Sequence, residues 1–466
     1  MISRRSLLIG TGVVGAGVVG LAERRRRLDH EPPALPTVNG EGSLLWQSWS
    51  GIEHAYPASR AAPNSADEVA AVLKASKAPI RAVGAGHSFT GLVPTDGTLI
   101  TLDAMSGVVS HDAATNQATV NAGTRLFDLG PALAKIGQEM INLPDINKQS
   151  LAGGLATGTH GTGKGIRALH GEVVGFQLAT PRGDLIDCDT VHHPDIFNAA
   201  RVGLGAFGIL TQVTLQNRPL KRIHKVSTIR PREEIMDDWP TLQTQHRNVE
   251  FLLFPFTHYG VTIASDETDL PIKPRGPDRD ADAVMQFKQL RDVFEFAPWL
   301  RFKVADSQIG TMPPEEMVDE GWKLLSNERP IRFKEMEYHL PLDAQLPALR
   351  EVIATIEKLR PDVFFPIEAR VIAPDDAWLS PFYQRECGSI AVHAYYKDDH
   401  SFLFELIEPI FRRHGGRPHW GKLNSLGAKD FAMLYPRWKD AMAVRQSLDP
   451  EGRMLNPYMR KVMLDG

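Results

Sequence analysis

The 466-residue chain contains only two cysteines, Cys188 and Cys387, which is too few for a disulfide scaffold. They fall in segments that we assign to different domains, and we therefore expect two free thiols in the core. No histidine or cysteine pair has the spacing of a metal site, so no metal centre is expected. The net charge of −4 gives no reason to expect nucleic-acid binding. Internal repeats and low-complexity tracts are also lacking.

Long apolar runs are lacking too, except near the N-terminus. The run from Leu7 to Ala22 follows the pair Arg4-Arg5, and its five glycines and short length make it a poor transmembrane helix. This pattern predicts a twin-arginine export signal within residues 1–30. The basic block Arg24 to Arg27 leaves an uncleaved anchor as an alternative, while a disordered cytosolic tail fits less well. We expect a periplasmic protein, or one that associates with the membrane through its N-terminus and faces the periplasm.

A glycine turn between Arg81 and Gly91 is the first feature typical of a ligand site. An apolar lead-in from Pro79 to Val83 predicts a short strand, and Gly84 and Gly86 then allow the backbone to approach a ligand closely. Backbone N–H groups in such turns bind phosphate. A dinucleotide fingerprint would have a third glycine opening a helix, and none follows here. The turn alone is therefore a weak signal.

A second glycine-rich segment, residues 150–165, has six glycines and three threonines. This composition disfavours a packed helix or strand and predicts a loop with many N–H and hydroxyl donors, able to wrap a pyrophosphate. A flexible linker is the alternative. Linkers, however, rarely lie between apolar segments such as Met140–Leu143 and Val173–Leu178.

Four separated motifs resemble one flavoprotein family. They are Gly-Ala-Gly-His-Ser at 84–88, Ala-Thr-Gly-Thr-His-Gly-Thr-Gly at 156–163, Glu-Ala-Arg at 368–370 and His-Trp-Gly-Lys at 419–422. Together they resemble the vanillyl-alcohol oxidase superfamily, in its aldonolactone and alditol oxidase branch, which includes L-gulonolactone oxidase and D-arabinono-1,4-lactone oxidase. The resemblance covers about Trp46 to the C-terminus.

The resemblance implies an α+β fold with two parts. These are a two-subdomain FAD-binding domain of the PCMH type, expected over residues 31–219, and an α+β substrate cap domain over 220–435. A C-terminal segment, 436–466, would return to the FAD-binding domain. The residues themselves predict a helix capped by Ser65, a hairpin around Pro181–Asp184, a strand over Val249–Phe254 and a helix over Pro314–Leu325.

FAD is the cofactor that the resemblance implies, attached covalently through His87 to the isoalloxazine 8α-methyl. The alternative for His87 is a histidine that merely caps its turn. The remaining FAD-binding residues are expected in the two glycine segments and before the strand at 209–215: Arg81, Gly84, Ala85, Gly86, Ser88, Ser150, Gly153, Gly154, Thr157, Gly158, His160, Gly161, Gly208 and Ile209.

Glu368 and Arg370 are two residues apart in an apolar run, so both charges would lie on the same face of a strand. Buried charges are costly unless they are paired or functional. A structural ion pair therefore remains an alternative to catalysis. The resemblance implies that the pair holds the hydroxyls of a sugar, that Lys422 lies near the flavin, and that His393 is a weaker fourth candidate.

The resemblance thus implies an enzyme that oxidises a CH–OH group of an aldonolactone, alditol or related carbohydrate. The hydride would pass to flavin N5 and the electrons then to O2, giving H2O2. Two alternatives remain open: a dehydrogenase of the same fold that uses a quinone or cytochrome, and a non-catalytic flavin-binding protein.

Overall fold

The computed structural model describes residues 34–276, 280–310, 312–329 and 331–464, together with Gly20 and Glu23. The export signal or anchor predicted within residues 1–30 lies outside the described residues, apart from those two positions. Among the described residues, none of the helices combines the length and the apolar character needed to cross a membrane.

The N-terminal half contains three sheets. A pair (β1–β2) comes first, a parallel sheet has the order β3-β5-β4, and a larger antiparallel sheet has the order β10-β9-β11-β7-β6 with β8 also pairing β11. The strands are β1 Trp46–Gln47, β2 His54–Ala55, β3 Ser59–Ala61, β4 Ile80–Val83, β5 Thr98–Thr101, β6 Val108–Asp112, β7 Gln117–Asn121, β8 Gln138–Met140, β9 Val173–Ala179, β10 Leu185–Asp189 and β11 Ile209–Pro219. The helices of this half are α1 Ala66–Ala75, α2 Leu126–Ala134, α3 Leu151–Ala156 and α4 Pro194–Ala200.

Local sequence signals explain several of these elements. The Ser65 hydroxyl accepts a hydrogen bond from the Glu68 N–H at 3.2 Å, which confirms the predicted N-cap of α1. The apolar face of α1 buries Val69 and Leu73 completely. β9 and β10 form the predicted antiparallel hairpin, with Gly183 at φ +79° in its turn.

The second half is built on one antiparallel sheet of eight strands, in the order β15-β12-β14-β13-β17-β18-β16-β19. The strands are β12 Arg222–Pro231, β13 Asn248–Leu253, β14 Tyr259–Glu267, β15 Glu315–Glu320, β16 Phe333–Pro341, β17 Ile367–Ile372, β18 Cys387–Tyr395 and β19 Arg417–Pro418. The helices are α5 Arg232–Gln245, α6 Asp280–Phe294, α7 Pro298–Ile309, α8 Gly321–Leu324, α9 Leu342–Leu359 and α10 Glu408–Arg413, the last preceded by a π-helical turn at Leu403–Ile407.

One face of this sheet, called here the helix face, packs against α5 and α9. Alternate residues of β13 and β17, such as Phe251 and Ala369, point to this face and are fully buried. The Trp239 ring of α5 meets Phe251 edge-on, with ring centroids 4.7 Å apart. The other face, called here the cavity face, turns toward the glycine segments of the first half.

The chain returns to the first core near its end. Helices α11 Ala428–Leu434, α12 Trp438–Leu448 and α13 Pro457–Leu464 belong to the apolar core of the first half, and so does Trp420. The return therefore begins before residue 436, where we placed the boundary. Cys188 and Cys387 are both free and buried, as predicted.

Two predictions of local structure are wrong. Residues 314–325 form strand β15 followed by the short helix α8, because pairing with β12 along the sheet edge and burial of Met317 and Val318 override the helical pattern. In the second glycine segment, residues 151–156 form helix α3 rather than a loop. Burial of Leu151 and Leu155 offsets the poor helix propensity of Gly153 and Gly154.

Candidate active site

A cavity of about 920 Å³ lies between the glycine segments and the cavity face of the eight-stranded sheet. Its size is at the upper end of the range for small-molecule sites. Of the predicted site residues, the cavity walls include all but three: Arg81, Gly84, Ala85, Gly86, His87, Ser88, Ser150, Gly153, Thr157, His160, Gly208, Ile209, Glu368, Arg370 and Lys422. Gly154, Gly158 and Gly161 are not part of the walls, and the last of these packs against the carbonyl of Leu143.

The two glycine segments meet where Gly84 faces Ser150. A Cβ at residue 84 would lie 2.0 Å from the Ser150 hydroxyl oxygen, so only glycine allows this approach. Ser150 in turn accepts a hydrogen bond from the Gly153 N–H at 3.3 Å and caps α3. The first glycine segment is therefore packed directly against the start of α3.

Arg81 is buried beneath the turn and holds it in place. Its guanidinium donates to the carbonyl oxygens of Leu92, Leu204, Gly205 and Met454, at 2.6–3.2 Å. These four acceptors come from three separate parts of the chain. Arg81 therefore positions the walls of the cavity, and its donors are already engaged.

His87 stands half-buried on the cavity wall, with its ring stacked on Trp49 at a centroid distance of 5.1 Å. Among the described residues, its ring nitrogens have no hydrogen-bond partner, so the ring does not cap the turn. Burial lowers the pKa of His87 to about 4, with help from the charge of Lys422. The ring is therefore neutral near pH 7 and has a free nitrogen lone pair.

The register of the eight-stranded sheet brings charged side chains together on its cavity face. Arg370 pairs with Glu250 on one side and Ser389 on the other, and Ser389 pairs with His339. In the next row, Ala391 lies between Glu368 and Glu337, and in the row after that Glu335 faces His393. Because side chains two apart on a strand share a face, β16 and β17 each present a pair of charges to the cavity.

Arg370 is held by two carboxylates. Its Nη2 lies 2.9 Å from Glu368 Oε2 and 3.1 Å from Glu337 Oε1, and all three side chains are buried. Behind it, the Gln345 amide of α9 donates to the Arg370 carbonyl at 2.8 Å and fixes the strand. Both ion pairs use Nη2, and Nε has no acceptor among the residues that the structure describes. Because Nε is buried, the donor that remains for a bound oxygen is Nη1, which neither ion pair uses.

The two carboxylates beside Arg370 differ in charge state. Burial alone would keep Glu337 neutral, but Arg370 and His160 lower its pKa well below the ordinary value. Burial raises the pKa of Glu368 to about 8, against the attraction of Arg370 and with repulsion from Glu250 and Glu337. Arg370 thus keeps Glu337 ionised, while Glu368 exchanges a proton near pH 8.

The second glycine segment reaches this network through His160. Its Nε2 lies 3.1 Å from Glu337 Oε1, and its Nδ1 lies 2.8 Å from the Gly161 carbonyl. Ligand atoms of His160, Glu337 and His339 lie within 4.8 Å of one another, which is an arrangement that a metal ion can use. Here, however, the Glu337 oxygen is already held by Arg370 and by the Ser389 hydroxyl at 2.5 Å. The cluster is an ion-pair network across two halves of the chain.

Lys422 occupies the other edge of the charged region. Its ammonium forms an ion pair with Glu335 and lies 5.1 Å from the centroid of the Phe89 ring. His393 Nε2 is 3.7 Å from the same carboxylate. The motif at 419–422 is tied to the first glycine turn, because the Phe89 N–H donates to the Gly421 carbonyl at 2.7 Å.

Sequence reasoning missed Glu335 and Glu337. Their spacing is the same as that of Glu368 and Arg370, but their strand, Phe333–Pro341, also contains Lys334 and His339. The two-residue spacing is therefore a usable signal, although the surrounding strand is less apolar.

The residues around the glycine segments fit an FAD molecule. The approach of Gly84 to Ser150, and Gly208 at φ +137° with the Ala179 carbonyl 2.3 Å from where a Cβ would be, leave backbone rather than side chains along the wall. Glycine segments of this kind suit a pyrophosphate, because backbone N–H groups in such turns can bind phosphate. The neutral ring of His87 and the ammonium of Lys422 lie at the end of the cavity that faces the eight-stranded sheet.

Comparison with known proteins identifies the family of the chain. The profile of the D-arabinono-1,4-lactone oxidase family matches residues 213–462, and the profile described as FAD binding domain matches residues 57–189. The fold is similar to that of a cholesterol oxidase from B. sterolicum, with a TM-score of 0.72 over 93% of this chain and 100% of that one, at 16% identity. This likeness concerns the fold alone and agrees with the predicted α+β architecture of PCMH type.

Two relatives match along nearly their whole length. L-gulono-1,4-lactone dehydrogenase from Mycobacterium tuberculosis (strain ATCC 25618 / H37Rv) is 33% identical over 431 residues, which cover 90% of this chain and 99% of the relative. L-gulonolactone oxidase from Bos taurus is 30% identical over 446 residues, which cover 91% and 99%. The chain therefore belongs to the D-arabinono-1,4-lactone oxidase family and is an FAD-dependent oxidoreductase.

Proposed function

We propose that this enzyme oxidises a CH–OH group of an aldonolactone, or of a related sugar or alditol, and passes the electrons to O2 to give H2O2. The observation that carries the proposal is the position of Arg370. Its side chain is buried on the cavity face and is held by Glu337 and Glu368 through Nη2, so that Nη1 is left for a bound oxygen. The names of the relatives, which include lactone oxidases and a lactone dehydrogenase, support this substrate class.

The roles of the residues follow from the charge that the reaction creates. Bound FAD supplies a hydride acceptor for the carbinol carbon. Oxidation removes the proton of the reacting hydroxyl as well as the hydride on its carbon, and ionised Glu368 accepts that proton. Arg370 stabilises the negative charge that proton loss places on the substrate oxygen, with N–H donors that stay protonated. Glu337 holds Arg370 in place. Lys422 supplies positive charge at the edge of the site.

The acceptor is tested by measuring oxygen consumption and peroxide release with a series of aldonolactones, sugar acids and polyols. Stoichiometric peroxide supports the oxidase. Turnover with a dye but without oxygen uptake would instead make the protein a dehydrogenase, the second candidate, which the dehydrogenase relative favours. Absence of turnover with every substrate and acceptor would support the non-catalytic flavin-binding protein.

The rate should depend on the protonation of Glu368. Because its pKa is raised to about 8, the carboxyl is protonated and unable to accept below that pH. We expect kcat/KM for the lactone to rise as the pH increases through about 8, since the ionised form is then gained. Glu368→Gln should lower activity and remove this limb of the profile. If the Glu368→Gln enzyme keeps the same rise of kcat/KM with pH, the rise is due to the titration of another group.

We propose a covalent bond between His87 and FAD. The ring is neutral, lacks a hydrogen-bond partner among the described residues and faces the cavity, so it is available as a nucleophile. Denatured wild-type protein should stay yellow after acid precipitation, and its band should fluoresce on a denaturing gel. His87→Ala should release the colour on denaturation. A colourless pellet from the wild-type chain would rule out the bond.

We also propose export through the twin-arginine route, on the basis of Arg4, Arg5 and the apolar run behind them. A double replacement of these arginines by lysine should hold the folded, flavin-loaded enzyme in the cytoplasm, as fractionation and immunoblotting would show. Full amounts of the variant in the periplasm would contradict this route.

A further inference from the structure

The cavity face of the eight-stranded sheet divides into a charged part and an apolar part. Strands β16 to β18, together with Glu250 of β13, present the charged part described above, and Lys225 and Ser227 of β12 also line the cavity. The apolar part, called here the apolar arm, is formed by Ile229 of β12, Leu252 of β13, Val261 and Ile263 of β14, Phe254 just after β13, and Phe287 of α6, whose ring stacks on Phe254 with centroids 5.0 Å apart. Register connects the two parts, because Leu252 pairs with Glu368 on the neighbouring strand.

The apolar arm is open space rather than packed core. On β13, the residues that point to the helix face, Val249, Phe251 and Leu253, are at most 1% exposed. Leu252, Val261 and Ile263, which point to the cavity, keep accessible surface. Apolar surface left in water is unfavourable, by about 25 cal/mol per Å², and it favours an apolar occupant.

The dimensions and the opening of the apolar arm suit an elongated ligand. From Glu368 on β17 to Ile229 on β12 there are three strand spacings, or about 14 Å. Met312 lines the same cavity and is 55% exposed, so the arm reaches the protein surface there. A sugar lactone, which carries hydroxyl groups on most of its carbons, would find few polar partners between Ile229, Val261 and Leu252.

We propose that the apolar arm binds the tail of a quinone, which serves as an electron acceptor in addition to O2. The inference rests on the proposed function, because it requires FAD that has been reduced by the substrate. The quinone takes two electrons and two protons from the reduced cofactor, FADH2. Its two carbonyl oxygens become hydroxyls, and FAD is regenerated. The quinone ring would lie at the charged part, where Arg370 can donate to a carbonyl oxygen, and the tail would lie along the arm.

Binding to the oxidised, FAD-loaded enzyme tests this without turnover. Benzoquinones with no tail, a short alkyl tail and a decyl tail are titrated by calorimetry. We expect affinity to increase about fourfold for each methylene that enters the arm, until the arm is full. The heat-capacity change on binding should become more negative with tail length. Equal affinity for the tailless and decyl quinones would overturn the proposal.

Two substitutions test whether the decyl tail binds in the apolar arm. Ile229→Trp fills the far end of the arm and should remove most of the gain in affinity that the decyl tail provides. Val261→Thr keeps the shape of the side chain but adds a hydroxyl, and it should weaken decyl-quinone binding several-fold. The matched control is Val109→Thr on β6, where the side chain is 49% exposed and outside the cavity. If all three variants bind decyl-quinone equally, the tail binds elsewhere and the proposal fails.

Kinetics of the wild-type enzyme separate this inference from the proposed function. Reoxidation of the reduced flavin by decyl-quinone should saturate at lower concentration than reoxidation by the tailless quinone. Reduction of the flavin by the lactone, measured without oxygen, reports on the proposed function by itself. If alkyl tails on an alcohol substrate accelerate flavin reduction, the arm belongs to the substrate and the quinone assignment is overturned.

Discussion

Arg370→Ala is expected to lower the rate of flavin reduction by an aldonolactone by about 100-fold or more, which corresponds to about 3 kcal/mol of transition-state stabilisation. The reason is that Arg370 acts on negative charge that the substrate oxygen acquires only as its hydroxyl proton is lost during hydride transfer. The loss should therefore appear in the reduction rate itself and not only in substrate binding. Anaerobic stopped-flow measurement of the flavin absorbance gives this rate directly.

The control for this prediction is Arg370→Lys. It keeps a positive charge between Glu337 and Glu368 but loses the planar fork of donors, so it should be folded and still slow. Thermal melting of both variants shows whether the fold survives. Reduction of the flavin in Arg370→Ala at near the wild-type rate would make the pair purely structural and move the active site elsewhere.

Glu337→Ala is expected to destabilise the fold by about 3–5 kcal/mol, because it leaves Arg370 and His160 buried without their shared carboxylate. Glu337→Gln keeps the shape and an acceptor oxygen, and it should cost less stability. It should still slow flavin reduction, since the guanidinium is then held by Glu368 alone. Denaturant unfolding followed by tryptophan fluorescence measures the first effect, and stopped-flow measures the second.

A pH profile distinguishes a positioning role for Glu337 from a merely structural one. The charge of Glu337 contributes to the raised pKa of Glu368, which is about 8. Removing that charge in Glu337→Gln should shift the rising limb of kcat/KM to lower pH. If the rise of kcat/KM in Glu337→Gln occurs at the same pH as in the wild type, while the free energy of unfolding falls, Glu337 supports the fold only.

The family and its FAD cofactor could be predicted from the sequence because four short motifs resemble those of the family, and the glycine turn and the charge pair could be located because short-range chemistry determines them. Gly84 is required by its close approach to Ser150 and Gly86 by its φ of +67°, and the alternation of Glu368 and Arg370 on an apolar strand marks a shared buried face. Both signals need only a few neighbouring residues. The N-cap at Ser65 is predictable for the same reason.

Where prediction failed, tertiary contacts overrode local preference. Residues 151–156 became helix α3 because Leu151 and Leu155 are packed into the first core, despite two glycines inside the helix. Residues 315–320 became a strand because β12 offered an edge to pair with. The meeting of His160 with Glu337 depends on residues 177 positions apart, and no local pattern contains it.

The apolar arm was also beyond sequence reasoning. Ile229, Leu252 and Val261 alternate on their strands like ordinary core residues, and only the sheet order β12-β14-β13-β17 places them beside Glu368. Their accessible surface is a property of the assembled cavity.

If a lactone carbinol reacts at the charged part of the cavity face, an anaerobic titration should show it without a second reaction. Wild-type enzyme with bound FAD is mixed without oxygen with L-gulono-1,4-lactone and, separately, with D-arabinono-1,4-lactone. We predict that at least one of them bleaches the yellow flavin absorbance completely, at one equivalent per FAD, and that the Arg370→Ala enzyme bleaches about 100-fold more slowly. A flavin that stays oxidised with both lactones, or one that bleaches equally fast in Arg370→Ala, would contradict the account.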